Sequence, residues 1–438
     1  METYWHSVTL DRDLCKGCTH CLKLCPTQAI RVQKGKAKIL KERCIDCGEC
    51  IRVCPYHAKK GVADSLDMLK EFKHTVALVA PAFYGQFSRT ENVDTILSAL
   101  LDLGFDDVFE VARGAQVITE KTKELLASGE LIKPSISSAC PAVLRLIAIK
   151  FPNLIGNIVP LKSPMEVSAV QARREAAEKT GLAPDDIGIF FISPCAAKAT
   201  FVKAHHTVKK SEVDGVIPIK DICIKMSRSV SKIAEEDVRD LRTAGRSGVI
   251  WATSGGEAET SGAEKYIAVD GIHNVIKVFE EIEDGKLDDI DYVEALACPG
   301  GCVGGPLTTE NSFSAKSKIQ RICRELDDVI HPFDNEMNMF WDEAIVYRPI
   351  MNLDSDINVA MQKMNRIEEI YEGLPKLDCG SCGSPSCRAL AEDIVLGYAK
   401  ETDCIFKLRE KVSALARDML ELESQNTLLN KEEKTEDK

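Results

Sequence analysis

No uncharged apolar run of about 18 residues or more occurs in this 438-residue sequence. Its first ten residues, METYWHSVTL, lack the apolar core of a signal peptide. Neither a membrane span nor secretion is therefore expected, and the chain reads as cytoplasmic. Also missing is any basic patch interleaved with aromatic residues. With 56 Lys and Arg against 68 Asp and Glu, net charge −12, the chain is not built for nucleic acid or an anionic membrane surface. A disulfide framework is not expected either, because 45% hydrophobic residues over this length can build several ordinary cores. What the sequence has in plenty is cysteine, 18 in all. In a reducing compartment, thiols at that density suit metal binding.

The cysteines form a tight group toward each end and a sparse middle. Near the start, Cys15-Lys-Gly-Cys18-Thr-His-Cys21-Leu-Lys-Leu-Cys25-Pro26 recurs 29 residues later as Cys44-Ile-Asp-Cys47-Gly-Glu-Cys50-Ile-Arg-Val-Cys54-Pro55. This doubled run resembles that of the bacterial ferredoxins, in which three cysteines bind one [4Fe-4S] cubane and the fourth ligates the other. One cluster is expected on Cys15, Cys18, Cys21 and Cys54, and the second on Cys44, Cys47, Cys50 and Cys25. Short C-x-x-C loops wrap one edge of a cluster while a remote thiolate closes it. Zinc also takes C-x-x-C pairs, but the duplication and the Cys-Pro endings favour iron and sulfur.

The second group is Asp378-Cys379-Gly-Ser-Cys382-Gly-Ser-Pro-Ser-Cys387, followed by Cys404 beyond a predicted helix over 388–402. Gly380 and Gly383 let backbone pass close to a ligand, and four thiolates suit one [4Fe-4S] cluster. Zinc is the rival occupant. The pattern is similar to the small four-cysteine domain of corrinoid iron-sulfur proteins, electron-transport subunits and some hydrogenases.

From about 75 to 345, apolar runs alternate with helical stretches, which predicts an α/β fold. Three strand-like runs lead into cysteine loops: 132–138 into Cys140, 187–193 into Cys195, and 291–296 into Cys298 and Cys302. Open α/β sheets bind ligands beyond the carboxyl ends of their strands, so four thiolates from three distant loops are expected at one site. Cys223 and Cys323 lie in helix-like stretches and read as core residues.

Ser137-Ser-Ala-Cys140-Pro141, Ser193-Pro194-Cys195-Ala-Ala-Lys198 and Glu294-Ala-Leu296-Ala-Cys298-Pro-Gly300-Gly301-Cys302-Val-Gly-Gly are similar, in order and spacing, to the three signature loops of the [FeFe]-hydrogenases. The resemblance implies an H-cluster: a cubane on Cys140, Cys195, Cys298 and Cys302, with Cys302 also bridging to a diiron unit bearing CO, cyanide and an azadithiolate. It implies that Lys198 hydrogen-bonds a cyanide, with Pro194 and the glycines at 300, 301, 304 and 305 folding backbone around the cofactor. It further implies maturation proteins that supply the diiron unit.

Departures from the family pattern are equally informative. Ala139 stands where a cysteine normally relays protons, and a methyl group cannot carry one. Ser193 and Leu296 replace methionines, and Phe201 replaces a glutamate. These changes resemble the divergent hydrogenases regarded as sensory, which share the terminal four-cysteine domain. Glu257, in Val249-Ile-Trp-Ala-Thr-Ser-Gly-Gly-Glu257, and Glu294 are the candidates for a replacement relay.

After Cys404, apolar residues at Ile405, Leu408, Val412, Leu415, Met419, Leu422 and Leu429, with Asn426 among them, follow a three-four spacing. That spacing predicts a coiled-coil dimer; a single amphipathic helix packed on the preceding domain is the alternative.

The expected organisation is an α+β ferredoxin-like domain over 1–60, an α/β H-cluster domain over 61–345, a helical linker with a small iron-sulfur domain over 346–404, and a coiled-coil helix with a frayed end over 405–438. The expected activity is slow, reversible interconversion of H2 with protons and electrons, used in H2 or redox sensing with a soluble redox or signalling partner. The alternatives are a hydrogenase-like protein that binds only cubanes and serves electron transfer or cluster assembly, and an electron-transfer subunit of another enzyme.

Overall fold

Ile187–Ser193 reads IGIFFIS and is buried at every position. Such a run suits a strand covered on both faces, the situation of parallel sheets. The computed structural model describes residues 5–87, 92–226, 230, 233–333, 336–350 and 352–436, with side chains to residue 423. Seven strands build two parallel sheets: β1 (His74–Val79), β2 (Asp107–Glu110), β3 (Ser135–Ile136), β4 (Ile187–Ser193), β5 (Gly215–Pro218), β6 (Tyr266–Asp270) and β7 (Tyr292–Leu296). The first sheet has the order β2-β1-β4-β5, with Leu78 paired to both Phe109 and Phe191. The second has the order β6-β7-β3, with Tyr292 opposite Tyr266 and Ser135.

Strand alternation sends side chains of the first sheet into two cores. Ala77, Val79, Phe190, Ile192 and Ile217 meet the helices Val93–Leu101 and Ser312–Arg324. Val76, Leu78, Phe109, Ile189, Phe191 and Val216 meet Val111–Ser128 and Pro164–Thr180. A third core joins the second sheet to Pro141–Lys150 and Ile272–Glu283, where Phe151 and Phe279 pack edge to face at 5.5 Å. Cys323 is buried in the first core and Cys223 packs against it. Burial pushes these thiols up to about 11 and about 12, so both stay protonated.

The expected strand over 132–138 is only Ser135–Ile136. Pro134 cannot donate to a ladder, and only Ser135 and Ile136 stand opposite residues of β7, with the Ser137 amide donating the last ladder bond to Val293 O at 3.0 Å.

The repeated cysteine runs have repeated backbones. Thr19 and Gly48 take left-handed conformations and open the short helices His20–Lys23 and Glu49–Arg52. Gln28 and His57 are also left-handed, with φ of 51° and 49°. Cys25 Sγ accepts the amide of Ala29 at 3.2 Å and Cys54 Sγ that of Ala58 at 3.3 Å.

The expected boundary at residue 60 differs from the packing. Residues up to Asp13 with Lys41–Ile350 form one compact unit, and Leu14–Leu40 with Met351–Lys438 form the other. The cause lies in the second unit, where the hairpin Ile30–Gln33/Lys36–Ile39 is bound to the terminal cysteine loop. Arg31 and Asp393, both buried, pair through Nε–Oδ2 at 2.5 Å and Nη2–Oδ1 at 2.9 Å. Val32 donates its amide to Gly383 O at 2.8 Å. Gly383 has φ of 86°, and a Cβ there would run into the Val32 carbonyl, so only glycine fits.

The helix expected over 388–402 spans Cys387–Val395; Gly397, at φ 77°, ends it, and a short 3-10 turn follows at Glu401–Asp403. A long helix, Ile405–Glu436, comes next, with Ile405, Leu408, Val412, Leu415, Met419 and Leu422 all exposed. The side chains of Asn426 and Leu429 lie outside the described residues. Among the described residues, no helix is long and apolar enough to cross a membrane.

Candidate functional site

The carboxyl ends of five strands open on one cavity of about 780 Å³. Ala80 follows β1, Val111 follows β2, Ala139 and Cys140 lie beyond β3, Pro194 and Cys195 follow β4, and Ala297 and Cys298 follow β7; all line it, as does Cys302. The four expected thiols from three loops thus share one mostly apolar enclosure. Cys140 and Cys195 cap the amino ends of Pro141–Lys150 and Ala196–Lys203, where the helix dipole favours a thiolate. Burial opposes ionisation: it raises Cys195 and Cys298 and pushes Cys302 up to about 12, against the pull of Lys198. Mutual repulsion among the thiols adds to the rise.

These residues fit an iron-sulfur cofactor. Four thiols present a complete donor set for a cubane. The Lys198 ammonium lines the same cavity, makes no hydrogen bond or ion pair among the described residues, and lies 5.7 Å from the Phe191 ring centroid. A cation left without an anion in an apolar enclosure calls for a negatively charged occupant.

Glu257 is the one carboxylate lining the cavity among the described residues. Ser137 Oγ donates to it at 2.8 Å and Tyr292 OH at 2.7 Å. Burial, reinforced by the charge of Glu294, pushes Glu257 up to about 8, while Tyr292, Ser137 and Lys198 pull the other way. Glu294 lies on β7 outside the lining and accepts the amides of Gly255 at 3.0 Å and Ala258 at 2.8 Å. Burial raises it too, opposed by those amides.

Other sequence candidates fall in different roles. Leu296 lines the cavity beside Cys298. Ser193 does not; its Oγ accepts the amide of Cys195 and donates to the Cys195 carbonyl, both at 3.1 Å, so it shapes the loop. Phe201 is buried in the second core. Of the glycines expected around the cofactor, Gly301 and Gly305 line the cavity, and Gly305 also brings loops together: a Cβ there would strike the Pro194 carbonyl, whose oxygen accepts the Leu307 amide at 3.0 Å.

Ser137, Tyr292 and Arg52 are functional neighbours that sequence reasoning did not single out. Ser137 stood inside a quoted motif, and Tyr292 opens β7. Arg52 had a signal in the repeat, since Lys23 occupies the matching place. Its Nη1 donates to Cys298 Sγ at 3.6 Å.

A second cavity, of about 300 Å³, is lined by Cys379, Cys382, Cys387 and Cys404. Asp378 Oδ1 accepts the Cys387 amide at 2.6 Å and Ser386 Oγ caps the following helix, which fixes the loop. Four thiols on one small concavity fit a four-ligand cluster.

The profile of the C-terminal domain of the iron-only hydrogenase large subunit matches residues 73–306, more than half of the chain, and the chain belongs to this family. A 4Fe-4S dicluster domain matches residues 7–55, and a family of iron-sulfur cluster segments matches residues 374–406. Iron hydrogenase 1 of Clostridium pasteurianum is 25% identical over 290 residues, 53% of this chain and 50% of that protein. The chain thus spans about half the length of that relative. The periplasmic [Fe] hydrogenase large subunit of Nitratidesulfovibrio vulgaris is 25% identical over 361 residues, 68% of this chain and 86% of that one. "Probable cytosolic Fe-S cluster assembly factor oxy-4" of Caenorhabditis elegans is 22% identical over 267 residues, 49% and 57% of the two chains.

Proposed function

We propose that this chain is a slow [FeFe]-hydrogenase that interconverts H2 with two protons and two electrons and serves as an H2 or redox sensor. The observation that carries the reading is the shared cavity: four thiols, an unpartnered ammonium at Lys198 and one carboxylate, in an apolar enclosure. Cys140, Cys195, Cys298 and Cys302 would hold a cubane, Cys302 would bridge to a diiron unit with CO, cyanide and azadithiolate, and Lys198 would bond an anionic ligand. When bound, this cofactor supplies the redox chemistry; the protein orients it, excludes water and moves protons.

The slowness follows from the proton route. Ala139 lines the cavity with a methyl group, so Glu257 takes the relay role, with Ser137, Tyr292 and Glu294 holding or tuning it. Its elevated pKa suits a group that must both accept and release protons near neutrality. Cys15, Cys18, Cys21 and Cys54 would hold one [4Fe-4S] cluster, Cys44, Cys47, Cys50 and Cys25 a second, and Cys379, Cys382, Cys387 and Cys404 a third, and these would supply electron transfer. Sixteen cluster thiols suit an anaerobic cytoplasm, and a soluble redox or signalling protein receives the output.

Infrared spectra of anaerobically maturated protein are expected to show CO and cyanide stretching bands. Their absence in protein that retains its cubanes would leave the second reading, an electron-transfer or cluster-assembly protein, which the likeness to the assembly factor favours.

The exposed stripe on Ile405–Glu436 supports a parallel homodimer. Sedimentation of the full chain is expected to give twice the chain mass, and Leu415→Glu with Leu422→Glu to give the single-chain mass; wild-type protein at the single-chain mass would remove the dimer.

A further inference from the structure

Arg52 belongs to no expected ligand set, yet it stands between two of them. It sits in Cys50-Ile-Arg52-Val-Cys54, and its Nη1 donates to Cys298 Sγ at 3.6 Å, a ligand from the third signature loop. The charge of Cys47 also acts on it. Its Nη2 is held by Glu49 Oε2 at 2.8 Å, one helical turn back. Its Nε is buried without an acceptor among the described residues, leaving one donor for an atom the polypeptide does not supply. A guanidinium is always charged, so this is a fixed positive charge with a free N–H beside a metal-binding thiol.

We propose that Arg52 is a positioning residue that sets the reduction potential of the cubane on Cys140, Cys195, Cys298 and Cys302 and biases electron passage between it and the cluster that includes Cys47. The inference rests on the ligand sets proposed above. Cluster potentials respond to net charge and to hydrogen bonds on sulfur. Adding an electron makes the cubane more negative, and a cation bonded to one thiolate stabilises that reduced form. In the direction of proton reduction, a soluble electron carrier delivers one electron to the Cys47 cluster. That cluster is then oxidised as the cubane is reduced, with no proton or bond changing hands. Arg52 favours the arrival, and Glu49, whose charge also reaches Cys298, moderates it.

The test is an EPR-monitored redox titration of the full chain reconstituted with iron and sulfide, which needs no diiron unit. The cubane signal is identified by its loss in Cys302→Ser. Arg52→Gln is expected to lower the cubane midpoint potential, Arg52→Lys to restore most of it, and Glu49→Gln to raise it. An unmoved potential in Arg52→Gln, or shifts of the same sign in Arg52→Gln and Glu49→Gln, would overturn the role of Arg52 alone. Should Arg52→Gln fail to assemble, Arg52→Lys and Glu49→Gln still decide the sign. Wild-type protein with no cluster on the four cysteines would overturn the ligand assignment itself.

Discussion

In protein carrying the complete cofactor, Glu257→Gln is expected to lower H2 turnover by about two to four orders of magnitude, the range lost with a general acid-base group. The size follows from the lining of the cavity. Ala139 cannot carry a proton, and Glu257 is the one carboxylate there among the described residues. Its pKa near 8 fixes the signs. H2 oxidation needs the deprotonated base and rises as pH climbs through about 8; proton reduction needs the acid and falls over the same interval. Glutamine removes both limbs while keeping an oxygen for Ser137 and Tyr292. Stability reports the same group. A carboxyl raised from 4.5 to about 8 in the fold contributes stability that is full below 4.5 and lost as pH rises through 8. Denaturation of cofactor-free protein is expected to show this slope in the wild type and a flatter one in Glu257→Gln. An unchanged turnover and pH profile in the variant would remove Glu257 from proton transfer.

Lys198→Met is expected to act in opposite directions on two states of the protein. Without cofactor, the substitution removes a cation that has no anionic partner in an apolar cavity and replaces it with a side chain that fits such walls. The thermal midpoint should rise. With maturation, the same variant is expected to lose the CO and cyanide bands, because under the proposed function the anionic ligands of a diiron unit would lose their only ammonium partner among the lining residues. A lysine serving only the fold would lower both readings. A variant that keeps its infrared bands at wild-type intensity would show that Lys198 does not retain the diiron unit.

That four thiols from three loops share one cavity was legible because closely spaced cysteines stand out in a sequence. The three cysteine loops, Lys198 and the terminal four-cysteine group are local patterns, and the strands that precede them are uniform apolar runs. What was not legible depends on contacts between residues far apart in sequence. Ser137 and Tyr292 meet Glu257 from 120 and 35 residues away. Arg52 reaches Cys298 across 246 residues. The role of Ser193 in its loop was not legible for a related reason: its hydroxyl closes a turn on the backbone of Cys195, a contact its place in the motif does not announce. The limit of the predicted helix after Cys387 was set by one glycine, Gly397, whose left-handed backbone has no signature beyond its identity.

The pairing of Leu14–Leu40 with the last part of the chain has a consequence for biosynthesis. The terminal cysteine loop that holds the hairpin of this segment is translated much later, Cys379 following Cys15 by some 364 residues. At ordinary translation rates that interval is roughly 20 to 70 s. Throughout it, the hairpin that carries Arg31 and Val32 waits without Asp393 and Gly383, the partners it is held by. A chain halted before Gly383 should therefore leave that hairpin without the partners it has in the complete fold.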